Sequence, residues 1–276
     1  MTFSALLRQM SAELLKARRR SLYYGAFGVL LFIAVLPLPI SLAALNNDSL
    51  RTWARDIVSF PGSMWNTLRL AQMAIPVLVT LVAAGAVGGE YSGGTWKMTL
   101  PRTVSRASPL VAKFVVSLLL SLGALAFALA LSSALGALGA LLLGLPVVPA
   151  PVGLGAGDVF RIVAFLVLEF GFIIALTMFA SVLTRSLIGG AMLGFFAQHL
   201  IRAMTFLPGG WISPMTNLDA LRARWMPQSH FRLAEAEAVL GRAMSWQAST
   251  ATVLAFGLGF CLLAVWLFEK RDLASE

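Results

Sequence analysis

The sequence predicts an all-α polytopic membrane protein, with six transmembrane helices preceded by an amphipathic interfacial helix. Of its 276 residues, 59% are hydrophobic and only 12% are charged, which is more apolar surface than a soluble domain of this size can bury. Runs of about 20 residues nearly free of charge recur along the chain, and each is long enough as a helix to cross about 30 Å of hydrocarbon. A transmembrane β-barrel would show short alternating segments instead.

Residues 1–20 predict a helix that lies on the cytoplasmic surface of the membrane. The apolar residues at helical spacing are Phe3, Leu6, Leu7, Met10, Leu14 and Leu15, and the basic residues between them are Arg8, Lys16, Arg18, Arg19 and Arg20. Basic amphipathic helices of this kind bind in the membrane interface. A cleaved signal peptide is the alternative, but the length and patterning of the basic region favour the interfacial helix.

Residues 21–276 form the predicted six-helix transmembrane domain. The apolar runs place its spans at about 21–45, 70–89, 114–144, 159–183, 187–207 and 248–268. The main connections are a polar connector at 46–69, a cytoplasmic loop at 90–113, a tight turn at 184–186 and an extracytoplasmic segment at 208–247. This last segment is expected to hold one or two short amphipathic helices.

The distribution of basic residues predicts the orientation of the chain. The net charge is +9, and twelve of the 21 Lys and Arg residues fall at the termini and on the turns of the same side, close to the ends of the spans. The positive-inside rule then places both termini in the cytoplasm, with the chain in the plasma (inner) membrane. Membrane lipids with anionic headgroups and an acidic partner account for the positive charge, so no nucleic acid partner is predicted.

The stretch GGEYSGGTWKMTLPRTVSR, at 88–106, has the glycine spacing of a phosphate-binding loop but not its chemistry. Gly94 stands where the loop needs its lysine, and an apolar helix rather than a strand precedes it. The glycines are expected to end the second span, and the residues after Pro101 to form a short basic helix parallel to the membrane that docks a cytosolic partner. The alternative is a basic loop that only obeys the positive-inside rule.

Eight residues of this region follow a spacing known from one transporter family. They are Glu90, Gly94, Thr95, Leu100, Val104, Ser105, Arg106 and Lys113. The spacing resembles that of the ABC-2 type transporter permeases, which have an E-x-x-x-G-T sequence followed by V-S-R and a later lysine. The proline that usually precedes V-S-R is Thr103 here, with a proline at Pro101 instead. The resemblance extends to the interfacial helix, the six spans and the cytoplasmic ends.

The resemblance implies a permease subunit that has no cofactor and no ATPase activity of its own. ATP and Mg would be bound by a separate cytosolic ATP-binding subunit, in two copies, which contacts the N-terminal helix and the 90–113 loop. A second permease chain, identical or paralogous, would complete the pathway, and export is the implied direction. The implied docking residues are Glu90, Gly94, Thr95, Lys97, Arg102, Ser105, Arg106 and Lys113.

Four polar residues inside the predicted spans are candidates for a second site. They are Glu169 in the fourth span and Gln198, His199 and Arg202 in the fifth. Ionisable groups within a membrane are costly and mark functional sites. Counting depth from each end puts Glu169 and His199 at comparable levels, so that they could pair across two adjacent antiparallel helices. The cluster would join the helices, line a substrate route or gate, or carry protons.

No catalytic set is recognisable in the sequence, so the chain is predicted not to be an enzyme. Two rival functions stay open beside transport. One is an intramembrane lipid-modifying enzyme that uses Glu169 and His199 as acid and base. The other is a membrane scaffold that transports nothing.

Overall fold

The computed structural model describes residues 3–45, 47, 49–58, 62–96, 107–144, 156–204, 212–225 and 245–270. The secondary structure of these described residues is helical. Its ten helices are α1 (Phe3–Ala17), α2 (Ser21–Val35), α3 (Pro37–Ala44), α4 (Arg51–Val58), α5 (Gly62–Ser92), α6 (Ser108–Leu142), α7 (Ala156–Thr184), α8 (Leu187–Ala203), α9 (Pro214–Trp225) and α10 (Trp246–Lys270).

Five of the described helical segments are long and apolar enough to cross a membrane. They are Ser21–Ala44, Gly62–Ser92, Ser108–Leu142, Val159–Thr184 and Trp246–Lys270. The first combines α2 and α3, because Leu36 between them keeps helical backbone angles. The predicted all-α polytopic membrane protein is therefore confirmed. Helix α8 is apolar but has only 17 residues, so the count of six crossings stays a prediction.

The chain divides into two compact units. Unit 1 consists of Met1–Tyr23, Pro76–Ser121 and Val163–Glu276, and unit 2 consists of Tyr24–Ile75 and Leu122–Ile162. The divisions fall inside α2, α5, α6 and α7, so each of these helices contributes residues to both units.

In unit 2, helix α4 is a short amphipathic helix within the stretch predicted as a polar connector. Its buried residues Ala54, Ile57 and Val58 follow the i, i+3, i+4 spacing of one helix face. Val58 packs directly on α6 at Gly139, where an added Cβ would lie 2.7 Å from Val58 Cγ1. Glycine at this position therefore lets α4 and α6 approach closely.

The core of unit 1 is built around α7, in which every residue from 172 to 178 is buried. Helix α8 packs along α7 through two glycines. A Cβ added at Gly190 would lie 2.1 Å from Ser181 Oγ, and one at Gly194 would lie 2.9 Å from Thr177 Oγ1. Small residues four positions apart thus bring the two helices into backbone contact.

Several helix ends of unit 1 lie at one level. The N–H of Leu187, at the start of α8, donates to Ser92 Oγ at the end of α5, at 3.2 Å. Just after α5, the ring of Trp96 lies 4.8 Å from that of Phe268, near the end of α10. Helix α7 ends here too, since only residues 185–186 separate it from α8. We call this end of unit 1, where α5, α7 and α10 end and α8 begins, the cap end.

Candidate functional site

The glycines that follow α5 close this helix with a defined set of hydrogen bonds. Gly94 has a φ of +64°, in the left-handed region that favours glycine. Its N–H donates to the carbonyl of Tyr91 at 3.1 Å, and the N–H of Thr95 donates to the carbonyl of Glu90 at 3.0 Å. These two bonds are the Schellman motif. The E-x-x-x-G-T sequence is therefore a helix C-cap.

The carboxylate of Glu90, one turn before this cap, is a buried meeting point for three cations. Its Oε1 accepts from Lys16 Nζ at 3.0 Å, from Lys113 Nζ at 3.1 Å and from Arg20 Nη2 at 3.2 Å. Its Oε2 accepts from the hydroxyl of Thr95 at 2.5 Å. The side chain of Glu90 is only 1% exposed, so the cations replace the water that this charge would otherwise need.

Lys113, in the second turn of α6, is equally buried and binds a second carboxylate. Its Nζ donates to Glu13 Oε2 at 2.5 Å and lies 5.3 Å from the centre of the Trp96 ring. Glu13 also accepts from Lys16, at 3.0 Å. We call this set the Glu90 cluster; its members are Glu13, Lys16, Arg20, Glu90, Thr95 and Lys113. It contains three basic and two acidic side chains, so it carries a small excess of positive charge.

Lys16 lies at the outer edge of the Glu90 cluster, half-buried on α1. Partial burial acts to lower its pKa, but hydrogen bonds and charge interactions with Glu13 and Glu90 outweigh that effect. The pKa of Lys16 is therefore raised above its ordinary value. The side chain remains a cation at physiological pH and stays available to both carboxylates.

The Glu90 cluster joins four parts of the chain at the cap end. They are α1, the residue just before α2, the end of α5 and the start of α6. The ring of Trp96 extends the connection to α10 through Phe268. The 97–106 segment lies between α5 and α6 in the chain. The helices at both ends of that segment are therefore joined to α1 by the Glu90 cluster.

The predicted docking residues divide into three groups. Glu90, Thr95 and Lys113 come together in the Glu90 cluster, where Glu90 and Lys113 are each 1% exposed and contact one another rather than present a surface to another protein. Gly94 is exposed at the cap. The rest lie outside the described residues: Lys97, Arg102, Ser105 and Arg106.

A second group of charged residues lies inside unit 1, around the middle of α7. Glu169 is 3% exposed, and its Oε1 accepts from Arg222 Nη2 on α9. Arg222 also donates to Asp219 at 3.3 Å and lies 5.7 Å from the centre of the Phe165 ring. Arg202, at the end of α8, donates twice to Asp219, at 3.0 and 3.1 Å. We call this set the Glu169 cluster: Glu169, Arg202, Asp219 and Arg222.

Helix α9 lies in the 208–247 segment that was expected to hold short amphipathic helices, but it is enclosed by unit 1 instead. Residues 208–211 and 226–244 of that segment lie outside the described residues. All eight residues from Pro214 to Leu221 are buried. Among them, Asp219 is 5% exposed, and its charge is matched by two arginines. Burial of such a polar helix is affordable because its charges are paired within the chain. The Glu169 cluster therefore fixes α9 to α7 and α8.

The expected pairing of Glu169 with His199 is wrong. His199 is exposed, and its Nδ1 lies 2.9 Å from the carbonyl oxygen of Phe195 in its own helix. Its neighbour Gln198 faces the interior and donates to Thr80 Oγ1 of α5 at 2.8 Å. Adjacent residues of a helix point about 100° apart. His199 therefore points away from the interior face that Gln198 occupies. The side chain that pairs with Glu169 is that of Arg222.

Asp219 and Arg222 were not recognised from the sequence as part of this site. The available signal was their i, i+3 spacing in LDALRARW, which places opposite charges on one helix face. Such pairs are common on exposed helices, and nothing in the local sequence distinguishes a buried one. The involvement of Glu13 and Arg20 in the Glu90 cluster was missed for a related reason, since their partners lie more than 60 positions away.

Comparison with known proteins assigns a family to the chain. A search of curated proteins gives no match. A family model described as "Protein of unknown function (DUF2705)" matches residues 53–274. This range contains the cap of α5, Lys113 and the whole Glu169 cluster, whereas α1 precedes it. Because the match covers most of the sequence, the chain belongs to the DUF2705 family.

Proposed function

We propose that the chain is the membrane-spanning subunit of an ATP-driven exporter of the ABC-2 permease type. Its partner is a separate cytosolic ATP-binding subunit, in two copies, which holds ATP and Mg. The observation that carries this proposal is the Glu90 cluster, because it joins α1 and the residues on both sides of the 97–106 segment into one buried ionic group. A partner that grips this segment would thereby move several membrane helices together.

The proposal includes six crossings and cytoplasmic termini. Helices α6 and α8 begin at the cap end, and α5, α7 and α10 end there, as expected if the chain changes direction at every crossing. Counting α8 as a crossing requires its 17 residues to span about 26 Å, slightly less than the hydrocarbon thickness. The positive-inside rule supports a cytoplasmic cap end, because Lys16, Lys113 and Arg185 lie there.

Force transmission follows from the buried charges of the cap end. Glu90 and Lys113 do not contact the partner in this proposal; they hold the cap of α5 against α1 and α6. The contacts to the partner come from the basic residues of the 97–106 segment, with Arg102 and Arg106 facing acidic groups. Closure of the two ATP-binding subunits would then rotate two permease chains against each other, a rigid-body change that alternates access.

In the proposed exporter, the Glu169 cluster keeps α9 in a fixed position inside unit 1. It holds α9 against α7 and α8, so release of the Arg222–Glu169 pair would free α9 to move. The rival acid–base reading of Glu169 and His199 loses its support, because Arg222 holds the carboxylate and the imidazole is exposed.

Charge reversal at Arg106 tests the docking role of the 97–106 segment. In cells that co-express a candidate ATP-binding subunit with this chain, Arg106→Glu is expected to weaken co-purification by about tenfold or more. The reason is that an attractive contact with an acidic group becomes repulsive, which costs a few kcal/mol. The amount of folded chain, measured by size-exclusion chromatography, should not change.

The matched control is Arg185→Glu, which makes the same charge change in the α7–α8 turn at the cap end. This variant should retain the partner at the level of the unmodified chain. Undiminished co-purification of Arg106→Glu would reject Arg106 as a docking residue. If the unmodified chain retains no ATP-binding subunit at all, the proposed function is wrong.

A further inference from the structure

Helix α1 turns three of its polar side chains, Gln9, Glu13 and Lys16, toward the rest of unit 1. Gln9 donates to Ser108 Oγ at 2.9 Å, and Glu13 and Lys16 are engaged in the Glu90 cluster. Arg20, just after the helix, also binds Glu90. These polar groups, which would normally face water on an amphipathic helix, are therefore used inside unit 1.

The outward face of α1 combines leucines with arginines. Leu7, Leu14 and Leu15 are 45%, 43% and 64% exposed. The exposed basic residues on this side and in the turn that follows are Arg8, Arg18 and Arg19, interspersed with the small residues Ser4, Ser11 and Ala12. Glu13 is the only acidic residue among the first 20, and it points inward. The outward face therefore combines apolar side chains with charges that are all positive.

The position of α1 relative to the membrane follows from the chain. Only three residues, 18–20, separate α1 from α2, which begins the first membrane-crossing segment at Ser21. Three residues reach about 10 Å at most. The end of α1 therefore lies at the membrane surface, within reach of lipid headgroups.

We propose that the outward face of α1 binds anionic lipid headgroups. Its leucines enter the boundary between headgroups and acyl chains, and Arg8, Arg18 and Arg19 contact lipid phosphates. A cytosolic protein is a poorer occupant, because the face joins directly to a membrane helix and all of its charged residues are basic. The proposal rests on the arrangement of α1 and not on the proposed transport function.

Fluorescence quenching in nanodiscs tests this surface with the full-length chain. In a Cys261→Ala background, Leu15→Cys is labelled with an environment-sensitive dye, and quenching by spin-labelled lipid is compared with quenching by aqueous iodide. One set of nanodiscs contains phosphatidylcholine alone, and the other also contains phosphatidylglycerol. We expect lipid quenching in both and stronger quenching with phosphatidylglycerol. Leu7→Cys provides a second labelling position in case Leu15→Cys disturbs the helix.

Substitution of the arginines identifies the source of the lipid effect. The combined variant Arg8→Gln, Arg18→Gln, Arg19→Gln should lose the enhancement by phosphatidylglycerol, since each basic residue near a charged membrane contributes about fivefold in binding. The control replaces two exposed arginines of α4 in the same way, Arg51→Gln and Arg55→Gln, and should leave the enhancement unchanged. Equal quenching with and without phosphatidylglycerol would overturn the anionic preference. Quenching by iodide alone, or shielding only when an ATP-binding subunit is added, would overturn the lipid surface.

Discussion

Replacing Arg222 by methionine is expected to lower the free energy of unfolding by about 3–5 kcal/mol, because Glu169 would be left as a buried carboxylate without its counter-charge. Glu169 is 3% exposed, and its Oε2 already has no hydrogen-bond partner among the described residues. Asp219 would keep its two bonds from Arg202, so the loss falls mainly on Glu169. The measurement is the thermal unfolding midpoint of the full-length chain in detergent, followed by size-exclusion chromatography.

Two comparisons identify the buried charge as the cause. Arg224→Met changes an exposed arginine of the same helix and should alter stability by no more than about 0.5 kcal/mol. Adding Glu169→Gln to Arg222→Met should restore much of the loss, because a neutral amide costs less to bury than an unpaired carboxylate. If Arg222→Met is as stable as Arg224→Met, the Arg222–Glu169 pair does not hold α9 in place.

Glu90→Gln is expected to destabilise the cap end by a similar amount, about 3–5 kcal/mol. The substitution preserves the shape of the side chain but removes the charge that Lys16, Arg20 and Lys113 share. Lys16 and Arg20 are partly exposed and can be hydrated, whereas Lys113 is buried and would retain only Glu13 as a counter-charge. The same thermal measurement applies, with limited proteolysis of α1 as a second readout, because α1 should detach more readily.

The controls for this prediction separate charge from packing. Glu269→Gln removes an exposed carboxylate near the end of α10 and should have an effect within about 0.5 kcal/mol. Adding Lys113→Met to Glu90→Gln should recover stability, because it removes the buried cation that lost one of its two carboxylate partners. Greater destabilisation of the double variant than of Glu90→Gln alone would mean that packing, not charge balance, holds α1 at the cap end.

The coarse architecture was predictable because it depends on local composition. Long apolar runs of nearly constant polarity identify membrane helices without any knowledge of what they contact. The glycines at 93 and 94 likewise marked the end of a helix, and the structure adds only the identity of the hydrogen bonds. Helix α4 was missed because it has only eight residues, too few to establish a period.

The charge clusters were predictable only in part, because their members are far apart in the sequence. Glu90 and Lys113 were singled out together by one motif, but their shared contacts with α1 depend on the packing of three helices. Glu169 was recognised as a buried charge, yet its partner lies 53 positions away, in a segment whose polarity suggested exposure. The periodicity of a sequence segment does not identify the distant residue that will neutralise a buried charge.

Cysteine labelling at position 106 tests most directly whether a cytosolic ATP-binding subunit grips the 97–106 segment. In a Cys261→Ala background, Arg106→Cys is treated with a membrane-impermeant maleimide in intact cells and in opened cells, with and without the co-expressed ATP-binding subunit. The account predicts no labelling from outside, labelling after the cells are opened, and protection when the subunit is present. Labelling in intact cells, or labelling that the subunit leaves unchanged, would contradict it.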